Sequence, residues 1–419
     1  MLSDDKMSVF FLQIAVMLVT GILFGQIAKK LKQPSIVGEF LGGIILGPTI
    51  LQYCPGHISS LFLGNAIKSS ELNYFMQFGM ILFMFISGLK INKKYVLERK
   101  RTVFSISFFG MFIPLISGML VVMWLPSFFL IPKGIPKLTY AVFVGIFLSI
   151  SALPVIIKTL TDLNIAETEL GSIMIGSAVI NDIVGWSMFI CLIDIWILNG
   201  GITDVFLFLL KLSAFIIILF TAGVKISRFI YRLIENSIGI AAVHISATVV
   251  MLMIISGIAE RIGIHPYFAV LLFGISLKKE FEDAALTEAK KVLDTITIGV
   301  FVPIYFVSIG MKVNLIEDFN LTLVLLILFI AFLGKIIGST IGAVITGMNL
   351  RDSFTISVGM NSRGAIEIIV ASIAIGLGII EKEMYVALVI MAIVTSLLGG
   401  PLIKRLINSK CSVILCGKS

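Results

Sequence analysis

Charge is scarce in this chain: Asp, Glu, Lys and Arg together make up only 13% of its 419 residues, beside three histidines, four cysteines and three tryptophans. With 58% apolar residues and a mean hydropathy of +1.10, that scarcity excludes a soluble enzyme core and a disordered chain. Cys54, Cys191, Cys411 and Cys416 form no Cys-x-x-Cys pair, and no histidine stands at metal-ligand spacing, which removes a disulfide scaffold and a metal cluster. A net charge of +8 would point to nucleic acid in a soluble protein; in a membrane chain the cations must first be placed on a topology. No nucleic-acid partner is expected.

What the chain has instead is long apolar runs. At roughly 20 apolar residues per crossing the composition suffices for about 12 spans. The runs between charged or Pro/Gly-rich breaks give thirteen candidates, at 8–28, 34–52, 72–89, 102–125, 139–160, 169–198, 203–224, 239–260, 263–277, 293–311, 320–347, 353–380 and 384–406. An all-α polytopic membrane protein is predicted, with a short tail at 407–419. Asp4 and Asp5 precede the first run, so no cleavable signal peptide is expected. With the N-terminus outside, 22 of the 32 basic residues fall on the inner side, Lys158 among them, and 7 on the outer side. This bias predicts an N-out, C-in orientation. The remaining three, Lys211, Lys335 and Arg363, lie within spans.

The two halves are related. Met84-Phe85-Ile86-Ser87-Gly88-Leu89-Lys90-Ile91-Asn92 closes span three, and Tyr305-Phe306-Val307-Ser308-Ile309-Gly310-Met311-Lys312-Val313-Asn314 closes span ten, aligned by one inserted residue. Spans seven apart cross in opposite directions, so the expectation is an inverted repeat of six-helix units, 8–198 and 239–406, joined by a linker helix at 203–224.

A charge at bilayer depth costs about 2.5 to 3.5 kcal/mol on insertion scales and needs a partner, a cavity or a function. Span six carries Asn181-Asp182 in an apolar stretch; burial disfavours the charged carboxyl, so it can hold a proton or release it and bind a cation. The alternative is a protonated Asp182 that only bonds between helices. In span five, Ser149-Ile150-Ser151-Ala152-Leu153-Pro154 reads as a kink or as a break exposing carbonyls to an ion. The matching stretch of span twelve, Gly359-Met360-Asn361-Ser362-Arg363-Gly364-Ala365-Ile366-Glu367, sets glycines around a polar cluster in which Arg363 and Glu367, at i and i+4, can pair and hold a break in place. Gly334-Lys335 puts an ammonium too deep to snorkel, to be met by a carboxylate or a helix C-terminus. Glu39 can line an access funnel or reach water at the start of span two, and Lys211, His244 and His265 read as structural or interfacial.

At these residues the sequence resembles the monovalent cation:proton antiporter-2 family, within the sodium/proton exchanger superfamily. Gln33-Pro34-Ser35-Ile36-Val37-Gly38-Glu39-Phe40-Leu41-Gly42-Gly43-Ile44-Ile45-Leu46-Gly47-Pro48 is similar to its span-two signature. The Ser-Ala-Leu-Pro, Asn-Asp, Tyr-Phe-Val-Ser-Ile-Gly, Gly-Lys and Asn-Ser-Arg-Gly motifs follow in the family's order over residues 8–406, most like plant cation/proton exchangers and bacterial Asn-Asp homologues. The resemblance implies a thirteen-helix homodimer in which spans 4–6 and 11–13 move against spans 1–3 and 8–10, with spans five and twelve crossing as broken helices beside Asp182. Two-carboxylate members are electrogenic, whereas Asn-Asp members are typically electroneutral. Lys335, which pairs with the first acid in two-carboxylate members, is retained here. The soluble regulatory domain of many members is expected to be absent.

The function expected is electroneutral exchange of Na+ or K+ against H+, competing at Asp182 as the metal-binding residue, with Asn181, Ser149, Ser151 and carbonyls near Pro154 as further ligands and no cofactor. Lys335, Arg363 and Glu367 are the supporting charges, and Pro154, Gly359 and Gly364 the helix-breaking residues. A multi-pass protein of a bacterial plasma membrane, not an enzyme, is predicted. A cation channel, a non-transporting sensor and an organic-anion symporter on the same fold are the competing readings.

Overall fold

The computed structural model describes residues 2–31, 33, 35–53, 62, 70–91, 93–196, 202–234, 240–278, 281, 284–311, 314, 316 and 318–408. All regular structure among them is helical, which satisfies each segment's backbone groups internally where a bilayer offers no water. Residues 409–419 of the expected tail, the cysteines Cys54, Cys411 and Cys416, and Lys312-Val313 of the repeated motif lie outside the described residues.

Among the described residues, ten helices are long and apolar enough to cross a membrane. Two shorter apolar stretches, Ser35–Leu51 and Pro266–Leu277, coincide with candidates two and nine. Candidate twelve is present as two pieces, Leu350–Met360 and Ala365–Gly376, separated by a break. Candidate five is likewise divided, into Lys137–Ser149 and Leu153–Asp162. Boundaries differ most where helices run on past their apolar stretch. The linker, expected to end at 224, continues through a π-turn to Ile234, and span ten starts at Ala284 rather than 293 with a π-turn at Thr297–Phe301. A hydropathy window cannot see these polar helical ends.

The chain forms two compact units, one of Met1–Leu18, Gly64–Ile91 and Leu198–Tyr305, the other of Val19–Leu63, Asn92–Ile197 and Phe306–Ser419. The second is organised around the divided fifth span, 94% of whose most apolar window is buried, against 11% for the linker helix. Tyr140, Phe143 and Phe147 of Lys137–Ser149 pack with Phe189, Leu323 and Met384 in one apolar cluster. A broken helix with exposed ends is tolerated in hydrocarbon only when protein surrounds it.

The repeated motif has a packing meaning. In the first unit a Cβ on Gly88 would stand 2.3 Å from the Leu271 carbonyl oxygen, and one on Gly274 would stand 2.3 Å from that of Phe85. In the second unit a Cβ on Gly310 would lie 2.2 Å from the Phe40 oxygen, and one on Gly43 would lie 2.0 Å from that of Val307. Thus span three touches span nine, and span ten touches span two, through the same backbone-to-backbone glycine contact, as partners exchanged by an inverted repeat should. Small residues let helices approach this closely where there is no hydrophobic drive between them.

Gly310→Ala is expected to destabilise the protein by about 1–3 kcal/mol through overpacking. Gly257→Ala, whose Cβ would meet nothing within 4 Å, should be neutral or slightly stabilising. Thermal melting of the purified protein in detergent checks the contrast, and equal effects would contradict it.

Candidate ion site

Half-helix Lys137–Ser149 ends in the protein interior, leaving its last carbonyls without intrahelical donors. Four consecutive carbonyls are taken by two cations. Arg363 donates through Nη1 to Phe147 and Ile150, both at 3.0 Å, and through Nη2 to Leu148. Lys335 Nζ donates to the Ser149 carbonyl at 2.5 Å. Both cations are fully buried, and both sit at the partially negative end of a helix. Lys335 also has a side-chain partner: with the Asn181 amide oriented to satisfy both of its ends, its oxygen accepts from Lys335 Nζ at 3.2 Å and its nitrogen donates to the Ser107 carbonyl at 3.1 Å.

The opposite ends are met by carboxyls or backbone. Pro154 occupies the first turn of Leu153–Asp162, where its missing N–H leaves one donor fewer to satisfy. It therefore starts the second half-helix rather than kinking a continuous one. Ala152 N–H donates to the Ser362 carbonyl at 2.9 Å, which ties the two breaks together. Gly364 N–H donates to Glu367 Oε2 at 2.8 Å at the start of Ala365–Gly376. A Cβ on Gly364 would stand 2.4 Å from Val155 Cγ2, a stiff β-branched neighbour, whereas one on Gly359 would meet the flexible Met174 sulfur at 2.7 Å.

Asp182 is the exception in this accounting. It is 1% exposed, and neither carboxyl oxygen has a hydrogen-bond partner in the protein. The Leu153 amide faces it without reaching hydrogen-bond geometry, and Glu367 and Lys335 are near enough to act on it electrostatically. Ser151, fully buried, places its hydroxyl 3.5 Å from the Asn181 amide. The Ser149 hydroxyl donates to the Ile146 carbonyl at 2.7 Å.

Several expectations change. Arg363 and Glu367 make no ion pair: position 363 precedes the helix that begins at Ala365, so the i, i+4 spacing does not place both on one helical face. Each holds the break through its own backbone partners instead. The carbonyls upstream of Pro154, at 147 to 150, already serve Lys335 and Arg363. Lys158, counted with the inner-side cations, is 4% exposed and ion-paired with Asp162 at 3.4 Å. Glu39, at 3% exposed, does not reach water. His244 stacks on Tyr231, and the His265 side chain accepts from the Tyr267 amide at the start of Pro266–Leu277. Ser107 and the Ser362 carbonyl were not legible as site groups, because both act through backbone oxygens that every residue carries.

Residues 14–409 match the family described as sodium/hydrogen exchanger, transmembrane. Cation/H(+) antiporter 17 of Arabidopsis thaliana is 28% identical over 408 residues, covering 96% of this chain and 48% of its own length. K(+)/H(+) antiporter 1 of Saccharomyces cerevisiae is 26% identical over 96% of this chain and 46% of its own. The chain thus spans about half the length of these plant and yeast relatives. The Na(+)/H(+)-K(+) antiporter GerN of Bacillus cereus is 27% identical over 98% of this chain and 99% of its own. In fold, the sodium proton antiporter MjNhaP1 of Methanocaldococcus jannaschii aligns with a TM-score of 0.70 at 17% identity, over 95% of this chain and 96% of that one.

Leaving a buried carbonyl unsatisfied costs about 1–3 kcal/mol. Arg363→Met, which strands three carbonyls, is therefore expected to lower the melting temperature more than Lys335→Met, which strands one backbone carbonyl and the Asn181 amide oxygen. The reverse order in a detergent melt would contradict the assignment.

Proposed function

The chain belongs to the transmembrane sodium/hydrogen exchanger family, and from that premise we propose that it is a monovalent cation/proton antiporter in which Na+ or K+ and H+ compete for Asp182. The observation that carries this reading is the isolation of that carboxyl: it is buried, has no hydrogen-bond partner in the protein, and lies where the N-terminus of Leu153–Asp162 presents its positive end. A carboxyl with spare lone pairs in a dry site holds either a proton or a cation, each of which neutralises it.

Each charged group around it keeps at least one bond to the backbone, whereas neither oxygen of Asp182 has one. Lys335 and Arg363 are committed to backbone carbonyls, and Glu367 to the Gly364 amide. With these fixed, the proton-loaded and cation-loaded sites carry the same charge, so one proton leaves for each univalent cation bound. Exchange is then electroneutral. Asn181, next to Asp182 in the chain, and Ser151, 3.5 Å from the Asn181 amide, serve as further ligands, and Asn181 takes the place beside Lys335 that the resemblance gives to a second acid in two-carboxylate members. The names of the yeast and Bacillus relatives support monovalent cations as substrates.

Alternating access follows if the site moves only when neutralised, the second unit's paired breaks carrying it. The orientation that fits the basic residues is N-out and C-in, in a bacterial plasma membrane, as a homodimer.

In proteoliposomes loaded with a pH-sensitive dye, addition of Na+ or K+ should move protons in the opposite direction, and Asp182→Asn should abolish the movement. Clamping the membrane potential at different values should leave the wild-type rate unchanged. A rate that scales with potential would overturn electroneutrality, and cation flux without opposing proton flux would replace the antiporter with a channel.

A further inference from the structure

A second buried charge cluster lies at the far end of the half-helix that faces Asp182. Leu153–Asp162 is a rod of ten residues, about 15 Å long. Its C-terminus is sealed by Asn164 in the left-handed conformation (φ 57), with Asn164 N–H bonded to the Thr161 carbonyl and Ile165 N–H to that of Leu160. There Asp162 Oδ2 accepts from both the Ser35 amide, at 2.9 Å, and the Ser35 hydroxyl, at 3.0 Å, and so caps the start of Ser35–Leu46. One turn back along the rod, Lys158 pairs with Asp162 at 3.4 Å. Glu39, one turn into the capped helix, is 3% exposed and interacts with Lys158, Asp162, Ser35 and Lys29 of the first helix. Its Oε2 has no hydrogen-bond partner. A polar recess of about 420 Å³, lined in part by Lys29, Asp162 and Asn164, adjoins the cluster.

We propose that Glu39 and Lys158 are positioning residues for exchange: through Asp162 and Ser35 they tether one end of the rod Leu153–Asp162, and the other end sets the Leu153 amide against Asp182. The inference rests on the antiporter reading and adds residues that the ion never touches. Two observations join the ends. The rod has no interior break, so a displacement at Asp162 is carried to Leu153. At that end the only slack is a short link in which Ala152 is bonded to Ser362 of the other break. A buried ion cluster is weak evidence for stability, since apolar replacements often serve as well. A role in placing a helix accounts for one here.

The cluster's charges make the test directional. Among the described residues Lys158 is the buried cation in this cluster, Lys29 being exposed, so Lys158→Met leaves Glu39 and Asp162 facing each other without it. Adding Glu39→Gln removes the repulsion that results. In the proteoliposome assay, Lys158→Met should raise the apparent KM for the transported cation about three- to tenfold, with the maximal rate per molecule within about twofold of wild type. The double variant Glu39→Gln/Lys158→Met should return KM to within about threefold of wild type, because contacting residues couple non-additively. Detergent melting of the same preparations separates this from simple damage. Additive KM effects, an unchanged KM, or changes seen only in melting temperature would each overturn the tether. Wild-type protein that exchanges normally beside unchanged variants removes only this inference, whereas wild-type protein that exchanges nothing removes the antiporter reading together with it.

Discussion

Interrupting a helix in the middle of a bilayer leaves up to four carbonyls at one end and four amides at the other without partners, and in hydrocarbon each unsatisfied group costs several kcal/mol. This chain interrupts two spans in that way, and much of what surrounds the interruptions follows from having to satisfy them. Lys335 and Arg363 are buried because Phe147, Leu148, Ser149 and Ile150 need donors. Glu367 is buried because Gly364 needs an acceptor, and Pro154 stands where one donor fewer is required. The breaks then answer each other through Ala152 and Ser362. Bases lie at the negative end of a half-helix and carboxyls at the positive ends, so the helix dipoles and the side-chain charges reinforce one another.

Once those pairings are made, Asp182 is the charged group at the breaks with no bond at all, while Glu367 and Arg363 each keep at least one. Asp182 sits among committed charges without a hydrogen-bond partner of its own. A transport site needs such a group: tight enough surroundings to exclude water, and a single titratable ligand whose occupancy can change hands. The Asn181 amide belongs to this economy because it occupies Lys335 without adding a second negative charge.

The sequence disclosed the spans, the likeness of spans three and ten, and the acid itself, because hydropathy, a repeated Ser-x-Gly or Ser-Gly pattern and a carboxyl in an apolar run are all local signals. The breaks were half legible: Ser-Ala-Leu-Pro and Asn-Ser-Arg-Gly marked where helices stop, but not what would satisfy their ends. For Lys335 the sequence gave the kind of partner, a helix C-terminus among the options, but not which one, because the backbone oxygen it meets is 186 residues away. Arg363 and Glu367 misled for a related reason, since their helical spacing has meaning only if both lie on a helix. The Ser35–Asp162 contact, between positions 127 apart in sequence, left no local trace either. Glu39, one turn into a short span, read as lining an access funnel or reaching water because nothing near it in sequence announces Lys158.

The central claim is that proton and cation occupy the same carboxyl. Calorimetric titration of the purified protein with NaCl or KCl, in two buffers of different ionisation enthalpy, counts the protons released per cation bound. The account predicts about one proton released per cation by the wild type and none by Asp182→Asn. Cation binding with no proton release, or release that persists in Asp182→Asn, would contradict it.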